Sequence, residues 1–120
     1  MTATSEAIKI TNIAAQAATD KLGENLVAID VTSVTPLNDV YLWVSGKNER
    51  QVSGIADEIE EKLAEVGVEA RRREGKTTSR WILLDFGDLA VHVMHEEERL
   101  YYTHERLFGN CPTVQLAATK

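Results

Sequence analysis

Cysteine is almost missing from this 120-residue chain, where Cys111 stands alone. That excludes an internal disulfide framework and any zinc site built on several thiolates, and it fits a reducing cytosol. Proline is scarce too, with Pro36 and Pro112 its two copies. No stretch rich in Pro, Gly or Ser interrupts the chain, so it reads as one domain without a linker. There is no apolar run of ~20 residues that would span a bilayer. The opening M-T-A-T-S-E has no basic segment leading into an apolar one, so no signal peptide is expected. Basic charge is in deficit, with 13 Lys and Arg against 19 Asp and Glu and a net charge of −6. Proteins that grip nucleic acid through its phosphates are usually basic. The acidity favours a basic protein partner instead.

What is present suffices for a core, since 43% of the residues are apolar. Ser5 to Leu22 is rich in Ala and carries Ile10, Ala14, Ala17 and Leu22 on one stripe, which predicts a helix stopped by Gly23. Leu26–Val31 predicts a short buried strand, Thr32–Asn38 a loop, and Val40–Ser45 a second strand of good β-formers. Asn48 is placed to cap a second helix, with Gln51 three residues on as in a capping box. Val52, Ile55, Ala56, Ile59, Leu63 and Val66 form the apolar stripe of that helix. Glu58 and Lys62 would support its exposed face, and Gly67 would end it. Val68–Arg73 predicts an edge strand, followed by a loop over Glu74–Ser79.

The densest information lies in Trp81–Met94, W-I-L-L-D-F-G-D-L-A-V-H-V-M. It reads as two strands joined by a two-residue turn at Gly87-Asp88. In that register Phe86 faces Leu89, Leu84 faces Val91 and Ile82 faces Val93, a wholly apolar side. The other side sets Asp85 opposite Ala90, Leu83 opposite His92, and Trp81 opposite Met94. Strand side chains alternate, so the two sets occupy opposite faces. The first is a core. The second mixes an aromatic, a thioether, an acid and an imidazole, as a partner-binding surface does. The competing reading is that a helix covers this side as a second core layer. Asp85 argues against it, because a buried unpaired carboxylate is costly.

After the hairpin, His95–Glu98 opens a last helix with acids at its positive end. Leu100, His104, Leu107 and Phe108 would share one face of it, and Glu98, Tyr102 and Glu105 another. Asn110-Cys111-Pro112 stops the helix, so the domain is expected over residues 1–112 with a flexible tail over 113–120. The order α-β-β-α-β-β-β-α predicts an α/β or α+β class with one mixed sheet. His92 and His95, three apart on a strand, would point to opposite faces, so no shared metal ion is expected. Arg71, Arg72, Arg73, Lys76 and Arg80 form the one basic cluster. It reads either as a charged edge that discourages sheet-to-sheet pairing or as an RNA contact through Arg71, Arg73 and Lys76.

A further set of residues resembles a known family. Asp39, V-S-G ending at Gly46, Arg50-Gln51-Val52 and Ile55-Ala56-Asp57 are similar to its strand, turn and R-Q-V…I-A-D helix. Glu74-Gly75, Trp81, Leu83-Leu84-Asp85, Gly87, His92-Val93, Arg99, Tyr102 and Glu105 resemble its E-G pair and its W-x-L-L-D-x-G…H-V…R-x-x-Y-x-x-E signature. This is the ribosomal silencing factor family, also called RsfS or Iojap, and the likeness runs from about Ile10 to Gly109. It implies a nucleotidyltransferase-like fold without the enzyme activity. It also implies binding to the large ribosomal subunit through ribosomal protein L-fourteen, a block on joining of the small subunit, repression of translation in the cytoplasm, and self-association when free. On that footing the partner-binding residues are Trp81, Leu83, Asp85, His92, Met94, Arg99, Tyr102 and Glu105, with no cofactor. The chain departs from the pattern at Gly46-Lys47-Asn48, which lacks the family's serine, at His104 in place of a leucine, and at Phe108 in place of a tryptophan. The alternative is a degenerate nucleotide-binding domain. Against it, the turn lacks its serine, and no Asp-x-Asp pair is present to hold Mg²⁺.

Overall fold

The computed structural model describes residues 2–75 and 80–116. Helix α1 spans Ser5–Asp20, strand β1 Glu24–Asp30, β2 Val40–Gly46, helix α2 Glu49–Ala64, β3 Arg72–Glu74, β4 Trp81–Asp85, β5 Leu89–His95 and helix α3 Glu96–Tyr102, followed by a 3₁₀ turn over His104–Phe108. The element order is the one the sequence predicts. Five strands form one mixed sheet in the order β1-β2-β5-β4-β3. The central pair β2/β5 is parallel and every other pair is antiparallel. Helices α1 and α2 cover one face, and α3 with the 3₁₀ turn lies over part of the other.

The β4–β5 hairpin has the predicted register, with Trp81 opposite Met94, Ile82 opposite Val93, Leu83 opposite His92, Leu84 opposite Val91 and Asp85 opposite Ala90. Phe86 N donates to Leu89 O at 2.8 Å across the turn. Gly87 sits at φ +92°, a conformation that side chains with a Cβ rarely adopt. Leu42 and Val44 of β2, Ile82 and Leu84 of β4, and Val91 and Val93 of β5 are fully buried beneath the helices. Each such side chain contributes about 1.5–3 kcal/mol.

Local chemistry explains the helix ends. Asn48 caps α2 by accepting from Gln51 N at 2.8 Å. Gln51 Oε1 in turn accepts from Lys47 N, while its Nε2 donates to the carbonyls of Lys21 and Leu22 and so ties the end of α1 to the start of α2. The left-handed residue after α1 is Leu22 (φ 64°), not Gly23. Gly23 is needed for close approach, since a Cβ there would lie 2.6 Å from Val44 Cγ2 and 2.9 Å from Ala18 O.

Five expectations are corrected. The edge strand is short, Arg72–Glu74, because Val68 N is engaged by Leu63 O at the end of α2. Val66 falls beyond α2 and is exposed, and Lys62 pairs with Glu65 (3.7 Å), not with Glu58. The last helix is broken at Thr103, which takes a left-handed conformation (φ 44°, ψ 46°). Finally, the chain does not leave the domain at Pro112. Asp30 N donates to Pro112 O and Val114 N to Ala28 O, each at 2.8 Å, and Val114 and Leu116 pack on the core. The start of the expected tail therefore runs along β1.

Candidate docking face

Alternation places Tyr41 and Trp43 of β2, Trp81, Leu83 and Asp85 of β4, and Ala90, His92 and Met94 of β5 on the face opposite α1 and α2. The sheet order makes β5 a central strand, flanked by β2 and β4. Its second face is roofed where α3 leaves the sheet and the 3₁₀ turn returns over it. Met94 is consequently sealed, at 0% exposure, in a small cluster with Ile29, Val31 and Trp43. The expectation that Met94 meets a partner is overturned. Trp81 remains half-buried, and its ring packs 5.3 Å from both Tyr102 and His104.

Two indole–imidazole pairs build the centre of this face. Trp81 Nε1 donates to His92 Nδ1 at 3.1 Å, and Trp43 Nε1 donates to His104 Nδ1 at 3.2 Å. His92 stacks on Trp43, with ring centroids 5.3 Å apart and an interplanar angle of 12°. Tyr41 and Phe108 meet edge-on at 5.2 Å. Burial, and then the neighbouring His104, push the His92 imidazole down to about 3. Burial also lowers His104, against the opposing pull of Glu105.

The polar residues have internal duties that the sequence did not disclose. Asp85 Oδ1 accepts from Gly87 N at 2.9 Å and from Asn38 Nδ2 at 3.3 Å, while Arg72 lies 3.7 Å from Oδ2. This carboxylate shapes the hairpin turn and is not unpaired, so the argument that it must face a partner fails. Arg99 is buried, not surface-exposed. Its Nη1 donates to Ser45 Oγ at 3.0 Å and its Nε to Glu105 at 3.2 Å, which occupies Glu105 as well. Tyr102 stays half-exposed beside Trp81. Leu100 and Leu107 are 78% and 76% exposed, because the break at Thr103 turns them outward while His104 and Phe108 turn in.

The basic cluster is likewise divided. Arg73 binds Asp57 and Glu60 of α2, and Arg80 binds Glu49, Glu97 and Glu98. Arg71 precedes β3 and lays its guanidinium against Gly87, on the same side as Arg72. Arg71 and Arg73 therefore do not share a face, and Arg73 is not available as an RNA contact. Lys76 lies outside the described residues. His95 caps α3 by accepting from Glu97 N at 3.1 Å, and no group of three metal-ligating side chains occurs among the described residues. At the glycine turn, Lys47 N is taken by Gln51 and its ammonium pairs with Glu24 and Glu96, so the groups a phosphate would use are already engaged.

What stays open is a groove of about 480 Å³ between the 3₁₀ turn and the β3–β4 edge, lined by Leu37, Tyr41, Arg71, Arg72, Leu83, Asp85, His92, His104 and Phe108 among others. A second hollow of about 360 Å³ continues it past Glu74, Gly75 and Trp81. Sequence reasoning missed Tyr41, Trp43, Asn38 and Leu37. For the first two, the alternation of V-Y-L-W-V-S was a usable signal.

The family model described as "Ribosomal silencing factor during starvation" matches residues 4–120. The chain belongs to the ribosomal silencing factor family. It is 40% identical to the ribosomal silencing factor of Halalkalibacterium halodurans, over 90% of this chain and 92% of that one. It is 39% identical to the Bacillus subtilis silencing factor, over 89% and 91% of the two chains. The chloroplastic Iojap protein of Zea mays is 33% identical over half of this chain and 28% of its own length. Among solved structures, a Chromobacterium violaceum protein superposes with a TM-score of 0.82 at 32% identity, covering 92% of this chain and 89% of that one. A Bacillus halodurans protein does so with a TM-score of 0.79 at 39% identity, covering 90% and 98%. The silencing-factor fold is thus shared from α1 to the sheet, and no helix among the described residues is long and apolar enough to cross a membrane.

Proposed function

We propose that this silencing factor represses translation in the cytoplasm by docking on the large ribosomal subunit and excluding the small one. Ribosomal protein L-fourteen is the partner that the family resemblance implies. The observation that carries the reading is the partly roofed second face of the sheet. There Trp81, Leu83 and Tyr41 border a continuous open groove, with Tyr102 packed beside Trp81, on a fold whose other face is closed by α1 and α2. A net charge of −6 supports a basic ribosomal protein as the partner, through complementary long-range steering. Repression by exclusion requires binding and no chemistry, so the reading invokes no catalytic residue. The free protein would self-associate through Leu100, Tyr101 and Leu107, which stand exposed on α3 and the 3₁₀ turn.

The test is co-sedimentation with dissociated ribosomal subunits. Leu83→Glu puts a charge in the middle of the groove and should abolish association with large subunits while circular dichroism stays native. Val66→Glu, just beyond α2, should bind normally. Native binding by folded Leu83→Glu would remove the site assignment.

A further inference from the structure

The groove holds two hydrogen-bond donors whose tautomers are fixed from behind. An indole nitrogen donates and has nothing to accept with. His92 Nδ1 receives Trp81 Nε1 and His104 Nδ1 receives Trp43 Nε1, so each neutral imidazole carries its proton on Nε2. Neither Nε2 has a hydrogen-bond partner among the described residues. The two rings lie 4.9 Å apart and line the same groove, and His92 is more than nine-tenths buried. The same tautomers exclude a metal ion between the rings, because the lone pair that a ligand needs is protonated on both Nε2 atoms.

The charge around the groove selects the occupant. Two carboxylates border the groove: Asp85, engaged by Gly87 N, Asn38 and Arg72, and Glu74 in the continuing hollow, which pairs with Arg72. Arg71 forms no ion pair among the described residues. Arg72 is held between Glu74 at 3.1 Å and Asp85 at 3.7 Å, so with both imidazoles neutral Arg71 is the lining cation without a carboxylate partner among the described residues, on a chain of net charge −6. An RNA backbone would bring further phosphates against that negative field, whereas a lone carboxylate matches the one guanidinium left without an ion pair.

We propose that the groove is a carboxylate site. An acidic side chain of the protein partner accepts from Nε2–H of His92 and His104, and Arg71 supplies the counter-charge. The site deepens the docking reading and rests on it for the identity of the partner, but not for the ligand chemistry. In a mostly basic partner, one acidic residue captured here would set the register of docking.

The experiment uses the ¹⁵N-labelled full chain at pH 7, with imidazole ¹H–¹⁵N correlations recorded during titration with sodium acetate. A second arm uses dimethyl phosphate, and a third sodium chloride at equal ionic strength. Both histidines should show the Nε2–H pattern before addition. Acetate should then shift both Nε2 signals saturably, and Arg71→Gln should weaken that binding at least fivefold. Sodium chloride should not reproduce the shift. An Nδ1–H tautomer at either ring, no saturable shift, or an unchanged titration in Arg71→Gln would overturn the site. Tighter binding of dimethyl phosphate than of acetate would overturn the carboxylate in favour of a nucleic-acid backbone. None of these readouts involves ribosomes, so the site fails or stands separately from the Leu83→Glu sedimentation test.

Discussion

At the scale of single residues, the second face of the sheet is governed by which polar atoms water no longer reaches. An unfolded histidine titrates near 6.5, whereas His92 in the fold is held near 3 by burial and by His104. Between these values the unfolded chain takes up the proton and the fold does not. The stabilisation is therefore complete above pH ~6.5 and declines by up to about 1.4 kcal/mol per pH unit on acidification towards 3. His104, also lowered by burial, acts in the same direction. The urea midpoint should fall between pH 7 and pH 5, and the fall should shrink in His92→Phe. A variant with an undiminished fall would place the proton elsewhere. Trp81→Phe keeps most of the ring but removes the donor to His92 Nδ1. It should cost about 1–3 kcal/mol in chemical denaturation.

At the scale of elements, the parts legible in the sequence are those whose signals are local. Asn48 and Gln51 cap α2 as their spacing predicts, and Asn48→Ala should lower stability by about 1 kcal/mol without moving the near-ultraviolet spectrum. The hairpin register followed from one turn and a period of two. The last helix departs from its sequence pattern for a physical reason. Its polar and apolar residues support a continuous 3.6-residue repeat, but Thr103 takes a left-handed conformation that interrupts it. The arc then places Arg99 under the roof, and the partners that bury it, Ser45 and Glu105, come from β2 and the 3₁₀ turn. No window along the chain contains that information.

At the scale of the whole molecule, charge and closure matter most. If docking on a basic ribosomal protein is steered by the net charge of −6, raising the ionic strength should slow association with large subunits more than it speeds dissociation. Stopped-flow or surface-binding rates at several salt concentrations would show this, and salt-independent association would contradict it. The segment after Pro112 belongs to the same closure. Val114 and Leu116 pack on the core and Val114 N pairs with Ala28 O, so truncation after Pro112 should cost about 1–3 kcal/mol of stability by thermal or urea unfolding.

Composition, turn chemistry and side-chain periodicity determined by themselves that this chain builds a mixed sheet with an apolar face and a chemically mixed one, because those properties depend on neighbours a few residues apart. Which part of the mixed face stays open was decided only by tertiary structure. Met94 and Leu83 lie on the same side of the hairpin, yet one is sealed and the other borders the groove. The difference is where the broken C-terminal arc crosses the sheet, and that path is set by contacts between residues far apart in the chain.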